Sequence, residues 1–297
     1  MPHAVIRAPR ARLWNALCRA LPAPLLGLVT ATAPLVAQAG CDTTAPGAGQ
    51  AVTCSATAPN PETAPVSASG AADIRVRVEA GAQLQQSGGA SAIGLLGAGG
   101  HRLDNLGSIA SVGGITVQLG AGSAVYNSGV IRAGNTTALQ FLGAGDSLLV
   151  NTGTLEGRTS VQFGSGNDRL QMRGGALSGA VLQGAGEDSV ELVAGSIASV
   201  DQGEGADRFT LSGGSVTGTV QQGAGTDTFE MSGGSVGALL QGDNYDYFRM
   251  TGGRIIGAFE DGDYAEMTGG RIGRVNMKLD NNVFDMSGGT IDGNLVA

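Results

Sequence analysis

Residues 223–241 read GAGTDTFEMSGGSVGALLQ, and close copies of this stretch fill the chain from residue 164 onward. Each copy has a polar anchor followed by alternating apolar residues, and most anchors are 19 or 20 residues apart. The anchors are Asp168, Asp188, Asp207, Asp227, Asp246, Asp263 and Asn282. A repeat of this length, with a period of two between glycine turns, is typical of a solenoid.

Four apolar columns run through the copies and predict the inside of each coil. In the copy quoted above they are occupied by Phe229, Met231, Val236 and Leu239. Phe229 and Met231 are two residues apart, so their side chains leave the same face of one strand. Glycines then interrupt the chain, which predicts two shorter strands for the other two columns. Because one coil cannot bury four apolar side chains alone, the coils must stack.

The fold that follows is a right-handed, three-sided parallel β-helix of about ten coils with 19–24 residues each. Glycine accounts for 52 of the 297 residues, and no long stretch keeps the helical period of 3.6. Residues 72–163 contain looser copies, with Asn-x-Gly corners at Asn127 and Asn151. We therefore assign residues 72–297 to the β-helix.

Four glutamines stand just before a turn glycine in successive copies. They are Gln183, Gln202, Gln222 and Gln241. Stacked at one position of the coil, they predict either a ladder of hydrogen-bonded amides or a row of solvated corners.

Two further segments precede the β-helix. Residues 1–39 combine four arginines, a proline-broken apolar stretch and a small-x-small end, which predicts an export signal peptide. Residues 40–71 form a predicted cap and lead-in, in which Cys41 and Cys54 are expected to form a disulfide, as exported cysteine pairs do. Removal of the signal changes the net charge from −8 to −12, because it takes away four arginines and no acid. Such a charge disfavours nucleic acid as a partner.

The segment from Cys41 to Pro61, followed by repeated Gly-Ala-Gly-x-Asp-x-Phe-x-Met-Ser-Gly-Gly units, resembles the passenger domains of Gram-negative autotransporters. The resemblance implies export through the periplasm and an outer-membrane translocator barrel, followed by secretion or display at the cell surface. It also implies an adhesin or virulence factor that contacts a host or cell-surface protein or carbohydrate. No translocator barrel is recognisable in the sequence, so we expect either a fragment, a truncated passenger without an independent role, or dependence on another chain.

The aspartate column allows two interpretations. The Gly-x-Gly-x-Asp pattern around Asp168, Asp188, Asp207 and Asp227 resembles half of a calcium-binding nonapeptide, which makes these residues candidate calcium ligands. The alternative is that each aspartate caps its own turn. Stacked carboxylates repel each other, so we expect them either to splay into solvent or to hold cations between them.

An acidic and aromatic patch interrupts the repeat between residues 242 and 266. Its candidate ligand-binding residues are Asp243, Tyr245, Asp246, Tyr247, Asp261, Asp263 and Tyr264. Such a patch could bind a carbohydrate or a protein, its carboxylates could serve glycoside hydrolysis in a polysaccharide-acting enzyme, or it could be a solvated corner.

Catalysis has little other support in the sequence. Ser235 lies in a Gly-x-Ser-x-Gly stretch, but that stretch is a repeat corner rather than a strand-to-helix elbow. His101, the single histidine after the signal, lies several coils away. We therefore expect a structural and adhesive rod rather than an enzyme.

Overall fold

The structure, a computed structural model, describes residues 40–278 and 281–296. The predicted signal peptide therefore lies outside the described residues. The first fourteen strands are β1 (Ala51–Cys54), β2 (Val66–Ser69), β3 (Arg75–Val78), β4 (Gln83–Gln86), β5 (Ile93–Leu96), β6 (Arg102–Asn105), β7 (Ser108–Ser111), β8 (Val117–Leu119), β9 (Ala124–Asn127), β10 (Val130–Ala133), β11 (Thr137–Phe141), β12 (Leu148–Asn151), β13 (Thr154–Glu156) and β14 (Thr159–Gln162). The remaining thirteen are β15 (Arg169–Ala185), β16 (Ser189–Glu204), β17 (Arg208–Leu211), β18 (Ser215–Ala224), β19 (Thr228–Met231), β20 (Ser235–Asp243), β21 (Tyr247–Met250), β22 (Arg254–Glu260), β23 (Tyr264–Met267), β24 (Arg271–Asn276), β25 (Val283–Met286), β26 (Thr290–Ile291) and β27 (Leu295–Val296).

The strands form a three-sided parallel β-helix, as the sequence predicts. Face 1 contains β1, β3, β6, β9, β12, the beginnings of β15 and β16, and then β17, β19, β21, β23 and β25. Face 2 begins with β4, β7, β10 and β13, and face 3 begins with β2, β5, β8, β11 and β14. From β15 onward, the longer strands bend around the corner between faces 2 and 3.

The stack has about twelve turns rather than about ten, since face 1 contains twelve successive strand segments. Part of the difference comes from the expected cap, because β1 and β2 within residues 40–71 already pair in parallel with β3 and β5. Coil length also varies more than the sequence repeat suggested, from 17 residues between Tyr247 and Tyr264 to 27 between Arg75 and Arg102. At the spacing of paired strands the rod is about 50–55 Å long.

The four predicted apolar columns do form the core. Phe229, Met231, Val236 and Leu239 are all buried, and so are their counterparts in the neighbouring coils. The phenylalanines stack along the axis, with ring centroids 5.1 Å apart for Phe209 and Phe229. In the last coil the columns become exposed, as at Met286, which is 42% exposed. Burial of each column therefore depends on the coil that follows.

Glycine is required at the corner after the buried glutamines because the coils approach closely there. Gly205 has a φ of +139°, and a Cβ at this residue would lie 1.7 Å from the carbonyl oxygen of Gly186 in the previous coil. No side chain fits at that distance, so the repeated Gly-x-Gly allows the coils to approach to the spacing of paired strands. Within the described residues the structure has no helix, and hence none long and apolar enough to cross a membrane.

Candidate functional site

The aspartate column lies inside the coil, directly before the strands of face 1. Five of its members are at most 2% exposed, namely Asp168, Asp188, Asp207, Asp227 and Asp246. Asp263 is half-buried. The expectation that these carboxyls splay into solvent is therefore wrong, because the stacked coils close over them.

Each carboxyl caps the backbone of the coil before it. Oδ1 of Asp188 accepts a hydrogen bond from the backbone N–H of Asp168 at 2.7 Å, and Oδ1 of Asp207 accepts one from the N–H of Asp188 at 2.8 Å. The same link continues up to Asp263, whose Oδ2 accepts from the N–H of Asp246 at 2.7 Å. We expected each aspartate to cap its own turn. The link joins neighbouring coils instead, because the parallel register places each carboxyl beside the preceding turn.

The second carboxyl oxygen of each buried aspartate has no hydrogen-bond partner among the described residues. Desolvation by burial, opposed by the capping N–H, raises the pKa of Asp188, Asp207 and Asp246 to about 7. The same desolvation raises the pKa of Asp168 to about 6, and it raises the pKa of Asp227 as well. Neighbouring carboxyls add to most of these shifts. The buried carboxyls of the column therefore stay protonated to a higher pH than ordinary aspartates do.

The capping column begins earlier than the aspartates. Nδ1 of His101 accepts from the N–H of Ile74 at 3.3 Å, and Oγ of Ser123 accepts from the N–H of His101 at 3.0 Å. Asp168 in turn accepts from the N–H of Ser147 at 2.6 Å. Sequence reasoning missed these members because their side chains differ. The available signal was their shared position, one residue before a strand of face 1.

The structure does not assemble a calcium site from these residues. Calcium takes six to eight oxygen ligands, often carboxylates. Among residues 40–278 and 281–296, no three His, Cys, Asp or Glu side chains are close enough to share a metal ion. One oxygen of each buried aspartate is also already used as a cap. Calcium binding by Asp168, Asp188, Asp207 or Asp227 is therefore left to a solution measurement, for which the geometry of the described residues predicts no effect of calcium.

The predicted glutamine ladder is present and fully buried. Nε2 of Gln202 donates to Oε1 of Gln183 at 3.0 Å, Gln222 donates to Gln202 at 3.2 Å, and Gln241 donates to Gln222 at 3.1 Å. All four side chains are 0% exposed, so the alternative of solvated corners is wrong. The ladder ends at Oε1 of Gln241, which accepts no hydrogen bond from a described residue.

A second amide ladder occupies the earlier coils. Nδ2 of Asn105 donates to Oδ1 of Asn127 at 2.7 Å, and Nδ2 of Asn127 donates to Oδ1 of Asn151 at 2.8 Å. In the register of face 1, Asn151 lies beside Met172, so the asparagines occupy the column that methionine fills later. The sequence predicts corners at Asn127 and Asn151 but does not indicate that these side chains are buried.

The acidic and aromatic patch separates into an outer and an inner part. Tyr247 and Tyr264 lie on the outside of face 1, with ring centroids 5.6 Å apart and planes 10° apart. The Tyr247 hydroxyl donates to Glu266 at 3.1 Å. Asp246 and Asp263 belong to the capping column, and the burial of Asp246 removes it from any surface ligand.

The remaining patch residues lie at the turn that leads into face 1. Tyr245 is 60% exposed, and Asp243, two residues before it, is also exposed. Asp261 has a φ of +67° and forms an ion pair with Lys278. The structure therefore offers two stacked tyrosines on the face and a separate acidic turn, rather than one cluster of carboxylates.

At the other end of the rod, Cys41 and Cys54 are joined by a buried disulfide. Ser235 lies in β20 on face 2, and several coils separate it from His101. His101 is held in the capping column and is not paired with a serine nucleophile.

The chain matches no protein-family model, no curated protein and no solved structure.

Proposed function

We propose that this chain is a secreted or surface-displayed rod of the autotransporter passenger type, which acts in adhesion. The observation that supports the proposal is the unbroken stack of coils, in which polar ladders and apolar columns run along one axis. A stiff rod with repeated outer faces suits the presentation of binding surfaces at a distance from a membrane. An outer-membrane barrel on another part of the gene product, or on another chain, would carry it out of the cell.

The outer surface of face 1 is the best candidate for contact with a host or cell-surface protein or carbohydrate. It displays the Tyr247–Tyr264 stack and a series of ion pairs between successive coils. These pairs are Arg169–Glu191, Arg208–Glu230 and Arg249–Glu266. Tyrosine combines a large apolar ring with a polar tip, which makes it a frequent anchor in binding surfaces.

A polysaccharide-cleaving activity has weaker support. Glycoside hydrolysis requires two carboxyl groups on either side of the scissile bond. Asp246 is buried, and Asp263 accepts a capping hydrogen bond from it. Asp261 is engaged by Lys278, so Asp243 is the one patch carboxylate that is both exposed and without an ion pair among the described residues.

Export is tested by expressing the full chain in a Gram-negative host and probing intact cells with an antibody and an external protease. We expect the protein to leave the cytoplasm when residues 1–39 are present, to reach the periplasm without a translocator barrel and the surface or the medium with one, and to stay in the cytoplasm when residues 1–39 are deleted. Retention of the full chain in the cytoplasm would contradict the proposal.

Adhesion is tested with the purified protein on immobilised host cells and on a panel of glycans. Replacing both Tyr247 and Tyr264 with alanine should reduce binding at least about tenfold if the stack is an anchor. Ile256→Ala is the matched control, because Ile256 is an exposed apolar residue on face 2 of the same coil as Tyr247. Equal loss in the control, or no loss in the double variant, would remove the tyrosines from the proposed site.

A further inference from the structure

We propose that a depression between β3 and β6 on face 1 binds the acidic group of a short saccharide, a carboxylate or sulfate on a sugar ring. Its principal binding residues are Arg75 and Arg102. This site lies near the opposite end of the rod from the tyrosine stack and does not depend on it.

The first argument is the fixed position of Arg102. Its Nε and Nη2 donate to the two carboxylate oxygens of Asp104, each at 2.8 Å. Its guanidinium also lies over the ring of Tyr126, 4.3 Å from the centroid. A guanidinium held from two sides loses little freedom on binding an anion, so the part of it that remains exposed is prepared for a ligand.

The second argument is an excess of positive charge at this place. Arg75 lies directly across from Arg102 in the parallel register, at the roughly 4.8 Å spacing of paired strands, and Arg77 lies two residues further along the same strand. Like charges across a pair of strands are unfavourable. Neither Arg75 nor Arg77 forms an ion pair with a described residue, although Arg77 lies across from Asp104 in the register. Two guanidiniums, those of Arg75 and Arg102, and one carboxylate, that of Asp104, line the depression, and Asp73 lies at its rim beside Gly100.

The contrast with the rest of face 1 makes this excess specific. Arg102 in the depression has a carboxylate partner, and so do the three arginines further along this face, namely Arg169, Arg208 and Arg249. Arg75 and Arg77 are the exceptions among the described arginines of face 1. An external anion beside Arg75 would supply the missing partner.

The third argument is the shape of the surface. A depression of about 440 Å³ is lined by Arg75, Gly100, His101, Arg102, Asp104, Gly122 and Ala124. Gly100, Gly122 and Ala124 leave its floor close to the backbone. His101 also contributes to the lining, although its side chain is 1% exposed and belongs to the capping column inside the coil.

The lining selects the class of ligand. No lining residue has an apolar side chain larger than that of Ala124, so a peptide with an apolar anchor has nothing to fill. A long polyanion would be repelled by the acids along the rest of the chain, whose net charge without the signal is −12. A short sugar acid provides one anionic group for the arginines and hydroxyls for the backbone floor.

The test is calorimetric titration of the purified protein at low salt with four probes: a trigalacturonate, a sulfated trisaccharide, neutral maltotriose and a pentaglutamate peptide. We expect millimolar or tighter binding of at least one acidic saccharide and none of maltotriose. Arg75→Gln should weaken that binding about tenfold. The matched control is Arg254→Gln, since Arg254 is an exposed arginine on face 2 without an ion pair to a described residue, and it should leave affinity unchanged.

Several results would overturn the proposal. These are the absence of heat with both acidic saccharides, equal binding of maltotriose, or equal loss in the two variants. Equally tight binding of a pentaglutamate peptide would replace a saccharide with an acidic peptide as the ligand. Thermal unfolding of both variants shows whether the fold is intact. Adhesion through the tyrosine stack could fail in its own assay without affecting this outcome.

Discussion

The buried aspartate column makes the stability of the rod depend on pH in an unusual direction. In the unfolded chain these carboxyls release their protons near pH 4, whereas in the folded rod the pKa of Asp188, Asp207 and Asp246 is about 7. A raised folded pKa gives stability that is complete below about pH 4, declines as pH rises toward 7, and is constant above. We therefore expect the rod to be more stable at pH 5 than at pH 8.

The size of the effect follows from the shift. Each carboxyl with a folded pKa of about 7 reduces the free energy of unfolding by up to about 1.4 kcal/mol per pH unit between the two pKa values. From pH 5 to pH 8 this is about 2–3 kcal/mol for one such carboxyl. Neighbouring carboxyls titrate as a coupled set, so the contributions of the column do not simply add.

Asp207→Asn isolates one member of the column. The amide oxygen can still accept the N–H of Asp188, but the side chain can no longer ionise. Linkage predicts that the variant is more stable than the parent by about 1.4 kcal/mol at pH 5 and that this difference grows by about a further 2–3 kcal/mol at pH 8. Urea unfolding followed by circular dichroism at both pH values measures this. Asp285→Asn, at an exposed carboxylate in the last coil, is the control and should show no such change.

Two results would refute the reasoning. The first is a parent protein that gains stability from pH 5 to pH 8. The second is an Asp207→Asn variant whose difference from the parent is the same at both pH values. Either result would mean that the buried carboxyls are already ionised at pH 5, so that burial does not raise their pKa in the folded rod.

Three further predictions concern the ladder, the corner and calcium. Gln222→Leu removes two buried hydrogen bonds between side-chain amides and leaves their partners unsatisfied, so it should destabilise the fold by about 2–4 kcal/mol. Gln118→Leu, at a half-exposed glutamine that donates to Gln140, is the control and should cost less than about 1.5 kcal/mol. Urea unfolding of both variants measures the difference. Gly205→Ala should lower the free energy of unfolding by at least about 1–3 kcal/mol from backbone strain alone, whereas Gly88→Ala, which has open space around it, should not. Millimolar calcium should leave the melting temperature unchanged, and a rise of several degrees would restore the aspartates as ligands.

The fold could be predicted from sequence because the apolar columns are a strong and redundant signal. Phe229 and Met231 have counterparts at the same place in every copy, and each copy restates which side faces inward. The number of coils was harder to predict from the sequence. Before residue 164 the coil length varies, and Asn105, Asn127 and Asn151 replace the apolar residues that mark the column later.

The polar interior was the part that sequence reasoning described least well. An aspartate next to a glycine turn is usually a solvated cap, and nothing within one coil distinguishes Asp207 from such a cap. Its burial and its partner are set by the next coil, through the link from the N–H of Asp188. The separation of Tyr247 from Asp246 has the same origin, because adjacent residues of a strand point to opposite sides of the sheet.

The middle rungs of the glutamine ladder are interchangeable. Gln202 and Gln222 each present a donor to the coil before and an acceptor to the coil after, and each occupies the same position in its own coil, just before a glycine corner. One more copy of the unit could therefore be inserted between them without any new chemistry. Unequal recombination within the repeated gene segment would then lengthen or shorten the rod by about 4.8 Å per coil. The length of the rod could therefore differ between related genes.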